Sequence, residues 1–189
     1  MQGGIQPGPL YGVSLYTVTT AMRGKEDALI LEYALNNLNN RTVYLPFEGK
    51  VKGVIDWGDG VTESIDKENL TSADLSHAYA QGIESTVEVA FKGTVEALKT
   101  TNSTKGEVLK ASLTGITQWG TPELKRLSLQ DAIALKHLAT DTKGALSAIT
   151  DFTSCFDGCT SLANIPEGLF AMATGARSFD YTFKDCTSL

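Results

Sequence analysis

Three cysteines, two histidines and a handful of closely spaced carboxylates are the side chains of this sequence best suited to metal, nucleophile or acid–base chemistry. Cys155 and Cys159 stand as C-x3-C, and Cys186 follows alone. A four-ligand zinc site needs a second Cys or His pair at a matching separation, and His77 and His137 are isolated upstream. An odd count also argues against a disulfide framework. The three thiols therefore read as buried free cysteines serving as small apolar residues. Asp56 and Asp59 flank Gly58 and could hold calcium with nearby carbonyls, which makes them the weak metal candidates. Gly58, however, stands where a second EF-hand ligand belongs, and no glutamate closes the loop. Turn chemistry, with each Asp accepting from backbone N–H groups, accounts for both. His77 with Ser72, Asp74 and Ser76 has the residue types of a hydrolase, but triads form between distant segments rather than sequence neighbours. Asp151, Asp157 and Glu167 could supply paired carboxylates, yet nothing sets two of them across a cleft as glycoside hydrolysis requires. The expectation is no enzyme, no metal and no cofactor.

The balance of charges narrows the partners. With 16 basic and 22 acidic residues among 189, the formal net charge is -6. Such a surface neither releases counterions from nucleic acid nor seeks anionic lipid, so nucleic acid is not an expected partner. No run of about 18 apolar residues is present to span a bilayer. The N-terminus Met1-Gln2-Gly3-Gly4 has neither a basic nor an apolar signal region, so the chain reads as cytoplasmic or as a mature segment behind an added methionine.

The elements that would position these residues differ between the halves. Residues 1–10 are Gly/Pro-rich and read as a flexible leader. Residues 11–100 show short alternating runs separated by Gly, Asn and Asp, as an all-β domain does. Val87, Val89 and Phe91 share one face of a run from Ser85 to Phe91, with Glu88 on the other. Further strands are expected at Val13–Thr19, Leu29–Leu35, Thr42–Phe47 and Lys52–Trp57, with Pro46 at an edge or strand end. Leu29–Leu35 also has helix-forming residues, but strand is preferred.

Two local motifs within this half are more specific. Ile55-Asp56 leads into Trp57-Gly58-Asp59-Gly60, and His77-Ala78-Tyr79 precedes the strand that starts near Thr86. Over about residues 40–95 this resembles the PKD-type immunoglobulin-like domain. The resemblance implies a β-sandwich with Trp57 in the core and the Tyr79 hydroxyl tied back to backbone, as in a tyrosine corner.

Residues 101–189 repeat. Phe156-x2-Cys159-x2-Leu162-x2-Ile165-Pro166 returns as Phe183-x2-Cys186-x2-Leu189, an offset of 27 residues that Phe152 and Phe179 also obey. The same step backwards meets Leu129, Ala132, Leu135 and Leu138, a degenerate earlier copy, and Val108–Trp119 reads as an atypical first coil. Equal positions of such an array stack into apolar columns. A helix is expected from Pro166, ending near Gly175.

The F-x2-C-x2-L-x2-I-P pattern, followed by Glu167-Gly168-Leu169-Phe170, resembles the leucine-rich repeats of BspA-type bacterial surface proteins over about residues 124–189. The fold class expected is thus mainly β with short helices: a PKD-like β-sandwich followed by a leucine-rich-repeat solenoid, incomplete at its C-terminus. The resemblance implies an extracellular or outer-surface adhesion protein whose lipoprotein signal has been removed, with a host or neighbouring-cell protein or glycan as partner. Lys136, His137, Ala163, Asn164 and Ser188 would line its concave face. Alternatives are an accessory module of polysaccharide processing, or an assembly module pairing as a homodimer through the exposed end at Phe183 and Leu189.

Overall fold

The computed structural model describes residues 24–36, 38 and 40–189. The leader and the strand expected at Val13–Thr19 lie outside them. The described chain is mainly β with one short helix. It comprises β1 (Leu29–Ala34), β2 (Thr42–Tyr44), β3 (Phe47–Asp56), β4 (Thr62–Leu70), β5 (Ser76–Ala78), β6 (Thr86–Lys99), α1 (Thr104–Ser112), β7 (Leu113–Gln118), β8 (Arg126–Ser128) and β9 (His137–Leu138). A large sheet runs β4-β3-β6-β1-β7-β9, with β8 also pairing to β6, while β2 and β5 form a small second sheet. Two packed layers of strands are consistent with a β-sandwich.

Strand β6 organises the sheet. Alternation puts Val87, Val89 and Phe91 in the core, and the strand continues past Gly93 for a total of 14 residues, well beyond the run read from its hydrophobic pattern. Gly93 stands directly opposite Gly53 of β3, and a Cβ on either would collide with backbone of the partner strand. The paired glycines let two long strands cross closely where side chains could not fit. The first half of β6 pairs with β1, and its last residues, Ala97–Lys99, pair in parallel with β8. The stretch Thr42–Phe47, expected as one strand, divides at Leu45-Pro46: Pro46 has no N–H for a ladder, and the chain passes there from the small sheet to the large one. Strand β4 carries Ile65 as its one buried residue, which explains why its charged sequence gives so little hydrophobic signal.

Helix α1 replaces part of the coil expected over Val108–Trp119. Ser103 caps it, accepting from the Gly106 N–H at 3.1 Å. Lys110, in its last turn, is 5% exposed, and its ammonium donates to Asn102 at 2.6 Å and Glu107 at 3.2 Å, with Asp131 at 3.7 Å. A buried lysine thus fastens the helix to the first repeat copy. Strand β7 then pairs with β1, so the large sheet runs across residue 100 into the second half.

Beyond β8 the chain advances by short turns, and equal positions bond from copy to copy. Leu129 N–H donates to Cys155 O at 2.7 Å, and Phe156 N–H donates to Thr182 O at 2.9 Å, one period later. The Asp131 and Gly158 amides make the corresponding bonds to Asp157 and Lys184. Phe156 stacks on Phe183 with ring centroids 5.5 Å apart and planes 4° from parallel; Phe152 does the same on Phe179 at 5.1 Å and 7°. Asp131, Gly158 and Asp185, all one period apart, share a left-handed backbone with φ of 56°, 74° and 55°. Only Gly and the short Asx side chains enter that region readily, so the spacing of these three has a steric cause. No helix forms after Pro166. Successive turns join Leu169 to Pro166, Ala171 to Gly168 and Ala173 to Phe170, and Gly168 at φ +77° breaks the helical path.

One contiguous core extends from Leu29 and Trp57 through Trp119 and Leu135 to Phe156 and Cys186. Within the second half, Asp141 is 2% exposed. Its carboxylate accepts from the backbone amides of Lys143, Gly144, Ala145 and Leu146 at 2.8 to 3.2 Å, which closes the loop that delivers Ala145, Leu146 and Ile149 to the core.

Candidate functional site

The Trp57-Gly58-Asp59-Gly60 turn joins β3 to β4. Asp56 Oδ1 accepts from Gly58 N–H at 2.9 Å, and its Oδ2 meets Lys25 at 3.1 Å. Asp59 Oδ1 accepts from Val61 N–H at 3.1 Å, and its Oδ2 lies 2.8 Å from His77 Nε2. Trp57 is fully buried, stacked on the His77 imidazole at 5.0 Å, and the Tyr79 hydroxyl donates to its carbonyl at 2.7 Å. Both carboxylates are therefore engaged in turn and ion-pair contacts. Among the described residues no three His, Cys, Asp or Glu side chains converge as metal ligands.

His77 finds its acid across the strands in Asp59 rather than in its sequence neighbour Asp74, whose carboxylate accepts from Thr71 N–H at 3.2 Å. The Ser72 hydroxyl donates to the Lys99 carbonyl. The local set Ser72, Asp74, Ser76 and His77 is thus not assembled around a shared proton. The Asp59–His77 pair escaped the sequence reading because only the β2–β5 pairing brings Val43 and His77 into register behind the turn.

Partial burial pushes the Asp59 carboxyl up, but the His77 hydrogen bond, the Val61 amide and the His77 charge together outweigh it and hold the group below its usual range. A carboxyl with a depressed folded value contributes stability that is present above its unfolded value near 3.9 and is lost as pH falls through the folded one. Asp59→Asn is expected to flatten the loss of stability below about pH 4, read as urea midpoints across pH. A variant with an unchanged acid limb would assign that limb to other carboxylates.

The three cysteines are buried and free. Cys159 and Cys186 each donate a thiol hydrogen to the carbonyl 30 residues earlier, Leu129 at 3.3 Å and Phe156 at 3.1 Å. Burial pushes all three thiols up, Cys159 to about 12. Thiolate is the reacting form, so the native chain is expected to react with a thiol reagent at neutral pH at least tenfold more slowly than the urea-unfolded chain. Rapid native labelling at one site would identify a thiol held more openly than this.

The repeat half exposes two polar strips. Lys136 N–H donates to Thr114 O at 2.8 Å, and Ala163 N–H donates to Lys136 O at 3.3 Å, so Lys136 and Ala163 stand on one ladder beside β7 and β9, with Asn164 next in line. His137 is half-buried over Gly115, its Nε2 3.8 Å from Glu32, and the Ser188 hydroxyl donates to Thr160 O at 2.6 Å. The second strip grows from β6 and β8 and was missed in the sequence. A cleft of about 490 Å³ there is lined by Glu48, Lys99, Arg126, Asp151 and Thr153 among others, and Asp151 bridges to Ser178 of the next copy. The signal that could have found it is the same offset of 27, which relates Arg126, Thr153 and Asp180.

Leu162 is buried in its expected column, but Ile165 is 41% exposed rather than interior. The ladder explains the difference. Ala139 N–H bonds Ile116 O just after Leu138, whereas the equal position after Ile165 is Pro166, which has no N–H to repeat the bond. Phe183 is half-buried and Leu189 is 49% exposed. Of the residues raised as a carboxylate pair, Asp151 binds its own turn through Thr153 N–H at 2.8 Å, Asp157 lies 3.5 Å from the Gln130 amide, and Glu167 serves through its carbonyl, accepting from Thr140.

Compared with known proteins, the chain matches no family model, no curated protein and no solved structure.

Proposed function

We propose that this chain is a non-catalytic binding or adhesion protein of a bacterial outer surface, in which a PKD-like sandwich supports a leucine-rich-repeat solenoid that meets a protein or glycan of a host or neighbouring cell. The observation that carries this reading is the register of the second half. Backbone bonds from copy to copy and stacked phenylalanines hold exposed polar side chains in rows at a fixed spacing. Rows of short polar side chains on a stiff support suit recognition of an extended or repetitive ligand, because little conformational freedom is lost on binding. The turn carboxylates of Asp56 and Asp59 and the Ser72 hydroxyl are committed to backbone and ion-pair contacts, which favours binding over catalysis.

The test is binding of the chain to arrays of cell-surface glycans and extracellular proteins, with the variant Lys136→Glu combined with Asn164→Arg as comparison. Both positions are exposed, so the variant is expected to melt as the parent does while losing at least tenfold in affinity. Blank arrays, or a variant that binds equally well, would remove the adhesive reading of this face.

A further inference from the structure

The cleft bordered by β6, β8 and the loop at Asp151 has two chemically unlike sides. Lys99, Lys125 and Arg126, all exposed, form the side carried by β6 and β8, while Asp151 and Thr153 come from the loop. Glu48 is the other carboxylate of the lining, so cations outnumber acids there by three to two in a chain whose totals are 16 and 22. Glu48 holds its cations loosely: Lys99 Nζ lies 3.4 Å from it and the Arg126 guanidinium 3.7 Å, with Glu96 at 3.3 Å from the same guanidinium. Full-strength contacts between ammonium or guanidinium and carboxylate are about 2.7 to 2.9 Å, and exposed pairs contribute little, so the basic side keeps donors for a further carboxylate. The loop side offers a different chemistry. Asp151 accepts from Thr153 N–H at 2.8 Å, and the Thr153 hydroxyl lies 2.7 Å from that of Ser178 in the next copy. A carboxylate beside a hydroxyl pair both accepts from and donates to the hydroxyls of a sugar.

We infer that this cleft is a binding site for a carboxylate-bearing sugar residue of a glycan, a uronic or a sialic acid, with the carboxylate on Arg126 and Lys99 and ring hydroxyls on Asp151, Thr153 and Ser178. Its volume of about 490 Å³ falls within the range of small-molecule sites. The planar guanidinium of Arg126 matches a carboxylate through two parallel hydrogen bonds, which a neutral sugar would leave unused. Among the described lining residues there is also no aromatic ring on which a neutral sugar could stack. An acidic peptide would satisfy the basic side, but its further charges would meet the Asp151 carboxylate. The pairing of cations with a hydroxyl-binding carboxylate therefore selects a ligand with one acid group and several hydroxyls. The site rests on the reading of the chain as a binding protein, and not on the face that carries Lys136.

The experiment is calorimetric titration of the full chain with trigalacturonate and with sialyllactose, each beside its methyl ester, and with triglutamate. Millimolar or tighter binding of at least one free acid is the expected result, and the one that binds identifies the source of the carboxylate. Its methyl ester and triglutamate should bind at least tenfold more weakly. Arg126→Gln and Lys99→Gln, both at exposed positions, should melt as the parent does and each lose at least fivefold in affinity for that acid. Lys136→Glu combined with Asn164→Arg should bind it as the parent does, so that failure of the Lys136 face and failure of this cleft are read separately. Silence with both acids, equal binding of an ester or of triglutamate, or unchanged affinity in Arg126→Gln and Lys99→Gln overturns the inference.

Discussion

Phe156→Ala is expected to destabilise the chain by about 3 to 5 kcal/mol, the usual cost of emptying a buried phenylalanine site. Phe156 is fully buried, and its ring is the support on which Phe183 stacks. Its amide and carbonyl both tie to the following copy, the one donating to Thr182 O and the other accepting from the Cys186 thiol. Removing the ring leaves a cavity in the buried core, and Phe183, half-buried, loses the parallel ring on which it stacks. The loss should therefore be uneven. Urea midpoints read by tryptophan fluorescence report Trp57 and Trp119 in the first half and at its boundary, whereas amide exchange can follow the turns after Phe152. Exchange in the last copy should rise before the tryptophans respond, as expected of stacked units joined only to their neighbours. Coincident transitions by both probes would show instead that the whole core melts as one unit. Phe156→Leu, which keeps most of the volume, should cost less than half as much.

The second large effect is expected at Asp141. Its carboxylate answers four consecutive amides, and alanine would strand those of the buried Ala145 and Leu146 where water does not reach. Hydrogen bonds to a charged group and the penalty for orphaned buried donors together suggest a loss of about 3 kcal/mol or more. Asp141→Asn supplies one acceptor oxygen of similar shape and should recover part of it. Denaturant midpoints with unchanged slopes would measure both variants. If Asp141→Ala costs under 1 kcal/mol, the loop takes its stability from Leu146 and Ile149 alone.

How far the molecule was legible in its residues differs by element. Strand β1 and the first half of β6 were readable, because hydrophobic alternation and burial coincide there. The second half of β6 was not, since Lys92-Gly93 interrupts the apolar pattern and its continuation depends on Gly53 across the sheet. Strand β4 buries one residue and is held by backbone pairing to β3, which leaves almost no trace in composition. Helix α1 rests on a serine cap and a buried lysine rather than on an apolar stripe. The repeat was legible because stacking demands the same side chain at equal positions, and it became misleading where Pro166 suggested a helix that Gly168 prevents. The Asp56 and Asp59 turn contacts could be anticipated from local chemistry. The partner of His77 could not, since it depends on the pairing of β2 with β5; the Asp141 contacts are local and the second polar strip follows the offset of 27, so both left a signal in the sequence that hydrophobic patterning does not pick out.

The parallel pairings of β6 with β8 and of β7 with β9 have a mechanical meaning. The repeat half is not hung from the first half by a tether; its ladders begin as additional strands of the large sheet itself. A pull applied at the far repeat end would reach β6 and β7 along their lengths, so that several hydrogen bonds resist in shear together instead of opening one by one. Under such a load the joint between its halves is expected to be among the last places to yield.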